Sequence, residues 1–169
     1  MLSESQRMPE NRLNSPARKP LYTAAERARR DASAWTLVQG ILAPVQFLIF
    51  LVSLALVLRY LATGEGYWAA TLSILAKTAT LYLIMVTGAI WEKVVFGQYL
   101  LAPAFYWEDM FSFAVIALHT GYIMGLLSGA LPPEGLMFLA LAAYGTYVIN
   151  AAQFILKLRL ARLDMAVAK

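Results

Sequence analysis

The stretch AFYWEDMFSFAVIALHTGY, residues 104–122, sets two adjacent carboxylates, Glu108 and Asp109, at the head of an apolar run that also holds the chain's single histidine, His119. Ionisable groups in a membrane-type helix are costly, and where they occur they tend to relay protons, bind ions or hold a ligand. Glu108 and His119 are 11 residues apart, which on a helix is about three turns with roughly 20° of drift, so they share one face. Ser112, Val115 and Tyr122 follow the same stripe. The rise of roughly 16 Å carries that face from one interface to near mid-bilayer, while Asp109 points roughly 100° away, toward a neighbouring helix or loop.

Further polar residues interrupt the other apolar runs. Lys77 sits deep in the second, Glu92 closes that run, and Lys93 follows it. Tyr147, Asn150 and Gln153 recur at three-residue steps in the last run, and Gln39 and Gln46 lie seven residues apart in the first. Each has a plain explanation. Carboxylates stabilise a helix N-terminus, Lys93 marks topology, and Glu92 pairs with Lys93 or a nearby arginine. Lys77 sits in an ion pair or reaches toward the far interface, His119 packs with a hydrogen bond, and the amides join helices. Except for Lys77 and His119, nearer the midplane, these residues concentrate on one side of the bilayer, which favours a shared purpose, a polar cavity among the helices that opens to the cytoplasmic leaflet.

The elements that must carry these residues are legible from composition. Of 169 residues, 60% are hydrophobic and 14% charged, against roughly 25% charged in a soluble domain. The excess lies in four runs, about 35–60, 67–91, 107–128 and 135–157, each near the ~20 residues that cross a bilayer as a helix. They do not alternate as barrel strands would. The expected fold is all-α, a polytopic four-transmembrane-helix bundle over 34–160 with an interfacial loop between the second and third spans. Residues 1–33 form a polar, basic, partly disordered segment, and 161–169 a short tail. Cysteine is absent, which excludes disulfides and thiolate-held metals, and one histidine excludes a multi-histidine centre. No phosphate-binding glycine loop or nucleophile elbow is present.

Pro44 removes a backbone donor from the first span and predicts a kink there. The connections ATGEGY and LPPEG are short turns, so spans one and two, and three and four, are antiparallel neighbours. The longer connection, WEKVVFGQYLLAPAFYWED, is rich in aromatics suited to the interface and predicts an interfacial helix or re-entrant turn broken at Pro103. Seven Lys/Arg precede the first span and four lie at or beyond the end of the last, whereas TGEGY and SGALPPEG have none. The positive-inside rule then sets both termini and the 92–110 connection in the cytoplasm. With four spans, the net charge of +4 is topological, and no nucleic-acid partner is expected.

Four blocks carry a family resemblance: LYTAAERARRDASAWTLVQGILAPVQFLIFLVSL, VTGAIWEKVVFGQYLLAPAFYWEDMFS, ALHTGY and AAYGTYVINAAQFILKLRLARL. They resemble the 3-vinyl bacteriochlorophyllide hydratases of bacteriochlorophyll biosynthesis, called 2-vinyl in older nomenclature. The likeness runs from Leu21 to Leu163, and GAIWEKVVFG and FYWEDMFS are its most specific parts. It implies addition of water across the vinyl group of a magnesium (bacterio)chlorophyllide to give a 1-hydroxyethyl group, with no cofactor required. It also implies residence in a bacterial inner membrane, contact with lipid, and other enzymes of the pathway as partners. No residue roles are carried over with it.

The roles follow from the chemistry. Protonating the terminal vinyl carbon leaves a cation on the carbon attached to the macrocycle, and water adds there. The site therefore needs an acid, a group that takes the water's proton, and electrostatics favouring the cation. Glu108 is the first choice for the acid and Glu92 the second, with Asp109 as cation stabiliser or base. His119 positions water or ligates the substrate's magnesium axially. Lys93 or Lys77 pairs with the substrate's free propionate, and Asn150, Gln153, Tyr147, Gln39 and Gln46 bind the substrate.

Two other classes share these features, a pigment-binding or assembly protein without chemistry and a small proton-coupled transporter. The uneven central connection and the lack of an inverted repeat weigh against the carrier. The charge asymmetry makes a direct prediction. A phosphatase active only in the periplasm stays silent when fused after Lys169 and is active when fused within LPPEG; the reverse pattern overturns the orientation.

Overall fold

The computed structural model describes residues 20–167, with side chains to Arg162; the disorder expected before Pro20 lies outside them. Five helices follow in order: α1 (Ala24–Ala32), α2 (Ala34–Thr63), α3 (Tyr67–Phe96), α4 (Tyr106–Ser128) and α5 (Pro133–Val167). No strand occurs among the described residues. Helices α2 to α5 are each long and apolar enough to cross a bilayer. Large apolar side chains such as Leu37, Leu48, Leu72, Leu127 and Ile155 stand exposed along them, an arrangement that water would penalise and lipid accepts. The chain is a multi-pass membrane protein.

Local signals set the boundaries. Thr23 and Glu26 form a capping box at the start of α1, satisfying two otherwise orphaned amides. Those hydrogen bonds from Thr23 hold the Glu26 carboxyl below its usual range. Ser33 ends α1 and caps α2. Gly64 and Gly97 close α2 and α3 with φ of 73° and 86°, a left-handed conformation that a Cβ disfavours. Helix α2 stays continuous through Pro44. The 97–105 connection contains no helix: the residues up to Phe96 extend α3, and only an irregular loop remains where an interfacial helix was an option. Helix α5 runs to Val167, so the expected tail continues the helix.

Two antiparallel hairpins, α2–α3 and α4–α5, pack together. They meet most closely in the half nearest the two short turns, where Phe50 lies 5.4 Å from Tyr144 and 5.0 Å from Tyr147, ring centre to ring centre. There Ser53 shares hydrogen bonds with Tyr144 at 2.5 Å and Ser73 at 2.7 Å, joining α2, α3 and α5 inside the bilayer. Val57, Ile74, Tyr122 and Met137 fill the same core. At the other end, where the described residues begin and end, a separate aromatic cluster forms around Tyr22, Phe96, Phe105 and Phe154. Tyr22 stacks on Phe96 at 5.8 Å, and Phe105 on Phe154 at 5.8 Å. Arg29 Nε donates to Val95 O at 2.8 Å, tying α1 to α3. Between core and aromatic cap the hairpins part.

Candidate active site

That parting leaves a cavity of about 830 Å³ bounded by all four spans, a volume in the range of small-molecule sites. Its polar lining includes Thr36, Gln39 and Gln46 from α2, Glu92 from α3, Asp109 and Ser112 from α4, and Tyr147 and Asn150 from α5. Most of the remaining wall is apolar. Gly40, Ala43, Pro44 and Phe47 on α2 and Ile155 and Leu158 on α5 line it and are also exposed. The cavity therefore opens sideways between α2 and α5, toward lipid. Tyr22, Arg30 and Arg162 stand at its terminal end.

Two carboxyl groups meet in the wall. Glu92 and Asp109, 5% and 4% exposed, lie within hydrogen-bonding reach of each other. Each also accepts a backbone amide from the 97–105 loop: Leu101 N donates to Asp109 Oδ2 at 2.7 Å, and Ala102 N to Glu92 Oε2 at 3.2 Å. Leu101 is the one non-glycine residue with positive φ among the described residues, at 60°. That conformation is strained for a bulky side chain, and it turns consecutive amides onto the two carboxyls.

Glu108 has a different environment. The stripe that it shares with Val115, His119 and Tyr122 is buried and faces α5. Lys157 Nζ reaches Glu108 Oε2 at 2.5 Å and also donates to Ala104 O. Asn150 Nδ2 donates to Glu108 O at 2.8 Å, and Ser112 Oγ to Asn150 Oδ1 at 3.2 Å. Glu108 thus staples α4 to α5 behind the cavity, and Asp109, one residue on, faces into it. By residue type Lys157 is indistinguishable from the other basic residues near the last span's end. Its signal was its seven-residue spacing from Asn150, which sets both on one face of α5.

The remaining candidates divide. Gln39 donates to Thr87 Oγ1 at 2.8 Å, and Gln46 is buried with Nε2 unpartnered. Gln153 stands outside the lining, its Oε1 unpartnered. Lys93 is exposed and donates to Gly97 O at 2.8 Å, away from the cavity. Lys77 is fully buried, makes no hydrogen bond and rests 3.6 Å above the Tyr147 ring; among the described residues no carboxylate pairs with it. His119 is fully buried, with Nδ1 against Val115 O at 2.8 Å, its ring 5.9 Å from Tyr144 and Nε2 unpartnered. Neither Lys77 nor His119 lines the cavity. No group of His, Asp and Glu suited to a metal occurs among the described residues.

Residues 22–160 match the family described as 2-vinyl bacteriochlorophyllide hydratase (BCHF). The chain belongs to that family. It is 70% identical over 158 residues to the 2-vinyl bacteriochlorophyllide hydratase of Cereibacter sphaeroides, covering 92% of this chain and 98% of the relative. It is 69% identical over 156 residues to the protein of that name from Rhodobacter capsulatus, covering 92% and 91%. No solved structure matches the chain. The resemblance read from the four sequence blocks is thereby established.

The staple yields a prediction about stability. Lys157→Met leaves Glu108 buried without its cation and should destabilise the detergent-solubilised protein by about 3–5 kcal/mol. Adding Glu108→Gln should recover most of that loss. Equal unfolding midpoints for wild type and Lys157→Met would remove the staple from the account.

Proposed function

We propose that this chain adds water to the vinyl group of a bacteriochlorophyllide, the older 2-vinyl and present 3-vinyl position, to give a 1-hydroxyethyl group. The observation that carries this reading is the buried, adjacent Glu92–Asp109 pair, each accepting one of two consecutive loop amides, in the wall of a largely apolar cavity in a member of the vinyl hydratase family. The sideways opening suits a flat, amphiphilic macrocycle arriving from the bilayer. Both termini and the 97–105 loop face the cytoplasm of a bacterial inner membrane in this reading, a view supported by the Lys/Arg asymmetry.

The pair supplies both halves of the chemistry. Its shared proton passes to the terminal vinyl carbon, breaking the π bond and leaving a cation on the ring-attached carbon, where the macrocycle delocalises it. The pair is then dianionic, and its charge stabilises the cation across a low-dielectric cavity. Water adds to the cationic carbon and returns one proton to the pair, so the site ends as it began. Asp109 accepts the shorter amide bond and is assigned the acceptor's role, with Glu92 as donor. Gln39, Gln46, Ser112 and Asn150 are the groups at hand to orient water.

Glu108, held by Lys157, is a positioning residue in this mechanism rather than the acid. His119, outside the lining, is assigned to packing rather than to the substrate's magnesium. That assignment also counts against a pigment holder built on an axial histidine.

Incubation with the vinyl substrate in water labelled with oxygen-18 tests the reading, because a hydratase alone incorporates the label. Glu92→Gln should lower turnover by about 10²–10⁴-fold, the usual contribution of a general acid, with pigment binding intact. Glu108→Gln should cost stability more than rate. Full activity in Glu92→Gln, with loss in Glu108→Gln, would transfer the acid's role back to Glu108.

A further inference from the structure

The terminal end of the cavity carries a second chemistry. Ala151, Phe154, Ile155, Leu158 and Ala161 line the cavity along one stripe of α5, and the stripe ends in Arg162. Arg30 lines the cavity too; its guanidinium lies 4.7 Å over the Tyr22 ring, with Nε and Nη2 held by Asp31 Oδ1 at 2.8 and 2.7 Å, so Arg162 is the guanidinium with the freer fork. Burial keeps the Tyr22 hydroxyl above its usual range, so it stays neutral. An apolar wall closed by two guanidinium groups is complementary to a flat apolar body with one carboxylate on its edge. Guanidinium is the cation best shaped for that group, because its forked N–H donors match both carboxylate oxygens.

We propose that Arg162 and Arg30 form the subsite for the substrate's free carboxylate. The proposal rests on the hydratase reading and deepens it. Anchored there, the macrocycle spans the cavity with its vinyl edge turned inward to Glu92 and Asp109. Orientation then follows from charge at the water-facing end, and a pigment whose carboxyl is esterified loses its anchor. This assignment replaces Lys93 and Lys77 as propionate partners: Lys93 stands outside the cavity, and Lys77 is sealed behind Tyr147. Arg159, three residues before Arg162 and outside the lining, shares the topological duty of a basic residue but not the subsite.

The test compares binding of the free-acid bacteriochlorophyllide with that of its methyl ester, followed by pigment absorption. The full-length protein is held in phosphatidylcholine nanodiscs, a neutral lipid that removes competition from anionic headgroups. Wild type should bind the acid on the order of tenfold or more tightly than the ester, the scale of a charge-assisted hydrogen bond. Arg162→Gln should abolish most of that preference, raising KM for the acid while leaving kcat, and should barely alter ester binding. Arg162→Lys should keep part of the preference, and Arg159→Gln all of it. Equal affinity of wild type for acid and ester overturns the subsite, as does an Arg162→Gln loss shared equally by both pigments. A wild type that prefers the acid but never hydrates it retains the subsite and refutes the hydratase.

Discussion

The close approach of the buried Glu92 and Asp109 carboxyls is the constraint around which the terminal half of the molecule is arranged. Two acidic groups buried side by side repel when both are charged, and they are tolerated only where a proton and fixed donors satisfy them. The 97–105 loop supplies those donors by holding Leu101 at a φ of 60° and directing consecutive amides onto the pair. The loop in turn is held by Phe105, which packs against Trp91, Phe96 and Phe154. Lys157 and Asn150 fix the first turn of α4 through Glu108. Each of these contacts sets where Asp109 stands relative to Glu92.

The interior divides into two polar zones with different physics. The zone facing the cavity has carboxyls, amides and hydroxyls that can be solvated or meet a ligand. The zone behind it, with Lys77, His119, Tyr144 and Ser53, is sealed. A lysine at mid-bilayer costs roughly 2.5–3.5 kcal/mol on insertion scales. Here the Tyr147 ring meets Lys77 Nζ at 3.6 Å, a contact that offsets part of that cost where no carboxylate is at hand. Tyr147 therefore faces both zones, with Lys77 on its ring and the cavity along its edge.

Much of the fold was legible because bilayer thickness leaves so few options for runs of this length. Four spans, two hairpins and a long central connection followed from hydropathy and turn residues. The site was legible as a set of residues but not as an arrangement. Glu108 and Asp109 are sequence neighbours separated by roughly 100° around α4, and periodicity paired Glu108 with His119 on a face that is indeed shared. Periodicity cannot say whether such a face meets a neighbouring helix or a cavity. That choice depends on Lys157 and Asn150, 49 and 42 residues away. The amides of Leu101 and Ala102 were invisible for another reason, since backbone donors leave no mark on residue type. Arg30 and Arg162 were counted as topology, a role that basic residues at a span's end fill whether or not they border a cavity.

The central claim is that the Glu92–Asp109 pair holds a proton inside the membrane domain at neutral pH. Infrared difference spectroscopy on hydrogen–deuterium exchange reads it directly, because a protonated carboxyl has a carbonyl stretch that shifts on deuteration. The account predicts such a band in the substrate-free wild type at pH 7, lost or displaced in Glu92→Gln and Asp109→Asn and unchanged in Glu108→Gln. A wild type without a protonated carboxyl, or a band that disappears with Glu108 alone, would contradict it.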